Sequence, residues 1–319
     1  DTPQDCHPGF YVPVNTENNI VCQPCPAGSY CDDGQIVAPC EQGYFCPGQN
    51  DGNYKANDTY KCPIGTYSTS IQATSIDICQ ACTAGYACST VAMSSRPGVS
   101  DKCEAGFYCH YGSNSTQAKI CPEGYRCPAG VGKPIACEPG FYQPNPQQTT
   151  CETCLQGFYC PFYGMTSTDL QECPIGSYCL SGSSIRKACP TGTIGNETQQ
   201  ISKNAACHNC LEGYYCDSEG LTENNMKTSN ICNEGYYCPS GTKSQTAHPC
   251  EAGSFCPAGS VSPSNCPENY YCGPNNPLTF DPTTNDKFKC QAGCMCAENS
   301  KTSCPVKCDA GYYCEEGMS

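Results

Sequence analysis

The sequence predicts a small disulfide-rich fold: an elongated rod of stacked cysteine-rich modules built from short β-ribbons and turns, with almost no helix. Three observations predict it. Cysteine fills 36 of 319 positions, a density typical of disulfide scaffolds. The large aliphatic and phenylalanine residues are scarce. One short motif recurs along the whole chain.

The cysteine content sets the compartment. Reducing compartments keep thiols open, so this usage implies a secreted or surface-exposed protein. The number is even and permits complete pairing into 18 bridges. Leu, Ile, Val and Phe together make up 37 of 319 residues, about 12%. A chain below roughly 20% with substantial net charge does not fold by burial alone, so covalent links must replace the missing core. In the chain-entropy model a bridge closing a loop of about 15 residues contributes roughly 3 kcal/mol.

The repeat is Cys-x-x-Gly-x-Tyr-Cys, or a version without the second Cys. Its first cysteines run from Cys6, Cys25, Cys40, Cys62, Cys82 and Cys103 to Cys290 and Cys308, 17 copies at a mean step of about 19 residues. Such a period reads as a linear array in which each unit touches mainly its neighbours. Three residues after the first Cys stands Gly in 16 of the 17 copies, and Asn269 in the other. Gly enters positive φ freely and Asn is among the few residues that tolerate it, so the pattern predicts a turn with a left-handed residue. The two positions after this glycine hold 24 of the 31 Tyr and Phe. In an extended ribbon neighbouring side chains point to opposite faces, which predicts one aromatic over the disulfides and the other outward. Pro often follows the first Cys, as at Pro26, Pro63 and Pro190, and fixes φ there. The copies divide into segments 1–60, 61–136, 137–188, 189–289 and an atypical terminal segment 290–319.

Four copies, beginning at Cys6, Cys62, Cys137 and Cys189, lack the second Cys and carry a later C-x-x-C instead. The stretches CPIGTYSTSIQATSIDICQAC from Cys62 and CEPGFYQPNPQQTTCETC from Cys137 resemble ephrin-receptor-like and tumour-necrosis-factor-receptor-like cysteine-rich repeats. Repeats of this kind also occur in growth-factor-receptor cysteine-rich regions and in large surface proteins of protists. The resemblance implies a pairing. In the long copies it gives Cys6–Cys22, Cys62–Cys79, Cys137–Cys151 and Cys189–Cys207. In four-cysteine units it joins first to third and second to fourth. That gives Cys25–Cys40 with Cys31–Cys46, Cys82–Cys103 with Cys88–Cys109, and Cys154–Cys173 with Cys160–Cys179. It also gives Cys210–Cys232 with Cys216–Cys238, and Cys250–Cys266 with Cys256–Cys272. Cys121, Cys127 and the crowded cysteines from Cys290 onward receive no assignment.

CQPC, CQAC, CETC and CHNC match zinc half-sites locally, but each occupies one fixed place in a disulfide-type repeat, so no metal is expected. The histidines His7, His110, His208 and His248 have no nucleophile or acid partner in a recognisable motif. No nucleophile elbow, P-loop or dinucleotide fingerprint is present. No enzymatic activity and no cofactor are expected. The net charge of −14 argues against nucleic acid and anionic membranes as partners. No apolar stretch reaches the 18 or so residues of a transmembrane helix. The start at Asp1-Thr2-Pro3 reads as a mature terminus after signal removal. Sequons at Asn57, Asn114 and Asn196 predict N-linked glycans, whereas Asn230-Ile231-Cys232 is a rare variant expected to stay unused.

Three functions compete. The first is a structural subunit that polymerises with itself, or joins other extracellular proteins, into a surface filament, hair or coat. Regular aromatics and the absence of an elaborated binding loop point to it, because a heterologous contact that does not close produces a fibre. The second is a receptor-type ectodomain, with Phe162–Met165 or the Asn224–Asn230 loop as the binding segment. The third is a lipid-anchored antigen or adhesin, since a small final residue such as Ser319 is compatible with a GPI site.

Overall fold

The computed structural model describes residues 6–7, 9–13, 21–32, 34–48, 60–273, 283 and 288–317. The chain forms two compact units. One comprises Asp1–Glu152 and Phe162–Asp169, the other Thr153–Pro161 and Leu170–Ser319. Both are built in the same way, from small disulfide-bonded ribbons. Among the described residues every sheet is two-stranded and every cysteine is bridged.

Each copy starts from its glycine. In the copy at Cys40 the Tyr44 N–H donates to the Glu41 carbonyl at 3.2 Å, and Gly43 between them has φ +83°. A four-residue turn with a left-handed third residue is type II geometry, which selects Gly at that place. The turn returns the chain on itself and sets the flanking Cα atoms of Cys40 and Cys46 6.1 Å apart, within bridging range. Gly65, Gly106, Gly192 and Gly293 repeat this conformation, and Asn269 does so at φ +73°.

This geometry overturns the crossed pairing. Where the resemblance implies Cys25–Cys40 with Cys31–Cys46, the structure joins Cys25 to Cys31 and Cys40 to Cys46. The other four-cysteine units follow: Cys82–Cys88, Cys103–Cys109, Cys154–Cys160, Cys173–Cys179, Cys210–Cys216, Cys232–Cys238, Cys250–Cys256 and Cys266–Cys272. Cys121 pairs with Cys127 by the same rule. The glycine turn has already brought the two cysteines of one motif together, so neither reaches into the next. The long copies have no second Cys to meet, and there the bridges are Cys6–Cys22, Cys62–Cys79, Cys137–Cys151 and Cys189–Cys207, the pairs implied for them. The terminal segment holds Cys290–Cys296, Cys294–Cys304 and Cys308–Cys314.

Within a copy, the two residues after the glycine pair antiparallel with the two residues before the next motif. Thr66 and Tyr67 lie opposite Ala81 and Gln80, and Phe107 and Tyr108 opposite Ile120 and Lys119. Successive copies are joined by a backbone ladder. Within each unit the first Cys of a motif donates its N–H to the carbonyl of the preceding motif's glycine, or of Asn269, as in Cys82 to Gly65 at 2.9 Å and Cys103 to Gly85 at 2.9 Å. The glycine N–H donates forward to the carbonyl of the next motif's closing Cys, as in Gly65 to Cys88 at 2.8 Å and Gly213 to Cys238 at 2.9 Å. In the long copies at Cys62 and Cys137 the closing position is filled by Ser68 and Gln143, whose carbonyls accept from Gly43 and Gly124 in the same manner. Gln143 is buried, and its amide satisfies itself on the Thr150 carbonyl at 2.7 Å.

A second left-handed residue in most copies has no counterpart in the sequence motif. It is glycine in places, such as Gly112 and Gly130, but Gln72, Ala92, Gln147 and Gln199 hold it at φ between +53° and +62°. Its N–H donates to the carbonyl of the preceding copy's first Cys, as in Gln72 to Cys40 and Ala92 to Cys62. Its own carbonyl rests against the glycine two motifs earlier. A Cβ on Gly124 would stand 2.2 Å from the Gly164 oxygen, and one on Gly43 2.2 Å from the Ala92 oxygen. The motif glycine is therefore required twice, by its φ and by this close approach.

Among the described residues helix is confined to Lys203–Ala206 (α1) and Glu223–Ser229 (α2), apart from single 3-10 turns. α2 is capped by Thr222, whose side chain accepts from the Asn225 N–H, and buries Met226. Met226 packs with Ile194, Leu221, Cys210 and Cys216 in one buried cluster. Elsewhere the buried apolar groups are mostly the bridges themselves.

Gly124→Ala is expected to destabilise the protein by more than the roughly 1–2 kcal/mol that a left-handed non-glycine residue costs, because the added carbon also meets a carbonyl. Gly98→Ala, at negative φ with only the Asp101 carboxylate nearby at 3.9 Å, should be close to neutral. Denaturant unfolding of the oxidised variants, followed by tyrosine fluorescence, checks both.

Candidate functional site

The side chains singled out in the sequence fall into three surroundings. The C-x-x-C cysteines are consumed by separate bridges. Cys79 closes on Cys62 while Cys82 closes on Cys88, and Cys207 closes on Cys189 while Cys210 closes on Cys216. A disulfide sulfur is not a thiolate and does not serve as a zinc ligand. Among the described residues no group of three or more His, Cys, Asp or Glu is placed to hold a metal. No helix among them is long and apolar enough to cross a membrane.

The histidines do not converge. His110 is exposed and meets the edge of Tyr108 with ring centres 5.8 Å apart. His248 lies against Tyr237 at 5.3 Å. His208 sits in a ribbon opposite Ile194.

The sequons differ among themselves. Asn57 lies outside the described residues. Asn114 and Asn196 are both exposed. The loop of Asn114 is clasped from one side: Glu104 accepts from the Thr116 hydroxyl at 2.8 Å and from the Gln117 amide at 2.7 Å. These bonds, that of Gln117 foremost, hold the Glu104 carboxyl below the usual carboxylate range. Asn230 is buried at the end of α2, donates to Asp217 at 3.2 Å, and precedes a bridged Cys232.

The aromatics depart from the expected alternation. In most motifs the positions after the glycine are half-buried or buried, as at Phe107, Tyr108, Tyr214 and Tyr215. A two-residue strand curled over its own bridge has no free outer face. Among the described residues exposed aromatic rings lie at Tyr111, Phe162 and Tyr163, outside the motif positions, and within motifs at Phe141, Tyr312 and Tyr313, the last two 79% and 80% exposed. In the segment 162–165 Phe162 and Tyr163 point outward while Met165 is buried. The Asn224–Asn230 segment is α2 and its capping residue rather than an open loop.

Two shallow hollows lie among the described residues. One, of about 280 Å³, is lined by Arg126, Glu138, Phe141, Thr150 and Cys151. The other, of about 430 Å³, is lined by polar groups including Thr191, Thr193, Asn204 and Asn209, with Lys203 and Lys243 at its wall. No protein-family model matches the chain, and no curated protein matches it significantly.

Glu104 has a lowered pKa in the folded state, so its contribution is present above the unfolded carboxylate pKa and is lost as pH falls through the folded value. Amide exchange in residues 113–118 should therefore speed up on acidification relative to the neighbouring ribbons. Glu104→Ala should show the faster exchange already at neutral pH; identical protection in both proteins would remove the clasp.

Proposed function

We propose that this chain is an extracellular structural and interaction protein, a subunit of a self-associating surface filament, hair or coat. The observation that carries the reading is the ladder repeated within each unit. Copy after copy repeats the same backbone bonds, and its side chains are spent on holding the copies together. What remains outside is a mostly polar surface with scattered aliphatic side chains, such as Val99 and Ile185, and a few exposed aromatic rings. A repeat of this kind adds identical units without changing its own geometry. The density of bridges fits an oxidising, extracellular setting. The likeness of the Cys62 and Cys137 stretches to ephrin-receptor-like and tumour-necrosis-factor-receptor-like repeats supports the same setting.

The exposed Asn114 and Asn196 are proposed to carry N-linked glycans in the secreted protein. Glycosidase treatment in heavy-oxygen water, followed by peptide mass mapping, should convert both to labelled Asp and leave the buried Asn230 unlabelled; an unmodified Asn114 and Asn196 would overturn the assignment.

Electron microscopy of the oxidised protein over a concentration series tests the filament reading. Regular assemblies with a constant axial repeat are expected as concentration rises. Single particles at every concentration would exclude self-association and direct the search to a receptor-type ligand.

A further inference from the structure

The polar hollow of about 430 Å³ is built by three segments of one unit: 190–193 with its motif glycine, 203–209 running from α1 into a ribbon strand, and 241–243. Its floor is a rung of the ladder. Gly192 donates its N–H to the Cys216 carbonyl at 2.7 Å and accepts from the Cys210 N–H at 2.9 Å. It lies under Gly241, whose oxygen would stand 2.8 Å from a Cβ on Gly192. The stem of Lys243 crosses the same glycine, its Cγ 2.9 Å and its Cε 3.2 Å from that place. On the other side α1, capped by the Ser202 hydroxyl accepting from the Ala205 N–H at 3.3 Å, carries Lys203 and Asn204. Thr193 and Asn209 lie opposite each other in the ribbon. The Thr193 hydroxyl donates to the Pro190 carbonyl at 2.6 Å, which leaves its oxygen able to accept.

The long copy at Cys62 has the same backbone and different chemistry. It repeats the serine at the head of a helical turn, Ser75, the bridge Cys62–Cys79, and the covered glycine, with the Gly112 oxygen 2.5 Å from a Cβ on Gly65. Yet Ile64, Ile76, Ala81 and Asn114 stand there in the places of Thr191, Lys203, Asn209 and Lys243. The ladder therefore requires neither lysine. Lys203 and Lys243 are far apart in the chain and meet only because the ladder stacks their copies. Among the described residues neither has a carboxylate within ion-pair range. In a chain of net charge −14, two unpaired ammonium groups on one hollow make a local cationic site. No aromatic or large aliphatic side chain lines it.

We propose that this hollow binds an acidic saccharide, a sugar unit carrying a sulfate or carboxylate group. The ammonium groups of Lys203 and Lys243 receive the anion as compact point charges. Thr191, Thr193, Asn204 and Asn209 supply hydroxyl and amide groups that both donate and accept, which is what sugar hydroxyls need. The volume of about 430 Å³ falls within the range of small-ligand sites. An apolar ligand would find no apolar wall, and a bare inorganic anion would leave the hydroxyls and amides unused. The floor is already fixed by the ladder and by the bridges Cys189–Cys207 and Cys210–Cys216, so little ordering opposes binding. The site lies within one unit and stands independently of self-association.

The test is a ligand-observed NMR titration of the oxidised full chain with glucose 6-sulfate, glucuronate, glucose and inorganic sulfate. K203Q/K243Q removes both cations, and a retained Cys189–Cys207 bridge, mapped by mass spectrometry, shows that the copy still forms. K119Q/K133Q removes the same charge from two exposed lysines that do not line the hollow. Saturable binding of at least one acidic sugar, at least tenfold tighter than glucose and inorganic sulfate, is the expected result. It should weaken at least tenfold in K203Q/K243Q and stay unchanged in K119Q/K133Q, and the preferred sugar tells sulfate from carboxylate. Inorganic sulfate binding as tightly as either sugar would overturn the saccharide. Equal binding by the wild type and K203Q/K243Q would overturn the site, as would no saturable binding of either acidic sugar at millimolar concentration.

Discussion

The structure depends on a glycine held at positive φ inside a seven-residue disulfide loop. The turn brings two cysteines together, and the same glycine supplies both backbone groups that bond the next copy. Its missing side chain admits a carbonyl from two copies on. One residue therefore closes the unit, links it forward and sets its packing distance. The spacing between motifs is free to vary, from 15 residues between Cys25 and Cys40 to 24 between Cys266 and Cys290. The ladder is anchored at the motif, and the intervening chain only has to return to it.

This arrangement explains how so little apolar surface suffices. A loop of about seven residues closed by a bridge contributes roughly 2.4 kcal/mol in the chain-entropy model, acting mainly on the unfolded chain. The sulfurs, almost all buried, then serve as the core that the scarce aliphatic residues cannot supply. The one place with a conventional cluster is around Met226, where α2 replaces a plain connecting loop and needs Ile194 and Leu221 to hold it. Aromatic rings fill the space beside the bridges, as Tyr30, Tyr44 and Tyr60 do at Cys40–Cys46. The cost of this economy is that few side chains remain for chemistry, and the polar surface outside is divided among short, separately bonded turns such as the Glu104 clasp.

Much of the candidate surface was legible in the sequence, and some was not. Asn114 and Asn196 stand exposed between motifs, where polar spacer composition places them. The aromatic alternation failed because period-2 reasoning assumes a strand long enough to possess two faces, and these strands are two residues long. The exposed pair Tyr312–Tyr313 obeys the same motif as the half-buried Tyr236–Tyr237, and nothing in the local residues records the difference.

The sequence by itself determined the redox setting, the repeat, the ribbon architecture and the left-handed turn, including its one asparagine. Each of these is a local property: thiol density, spacing, and the steric cost of a Cβ at positive φ. Tertiary structure decided the pairing of the four-cysteine units, because equal spacings permit more than one connection until the turn fixes which sulfurs meet. It also decided the second left-handed residue. Gln72, Ala92, Gln147 and Gln199 have no intrinsic call for that conformation. They adopt it because a carbonyl in the preceding copy takes their N–H and a bare glycine two copies away leaves room for their oxygen, and neither partner is near them in the chain.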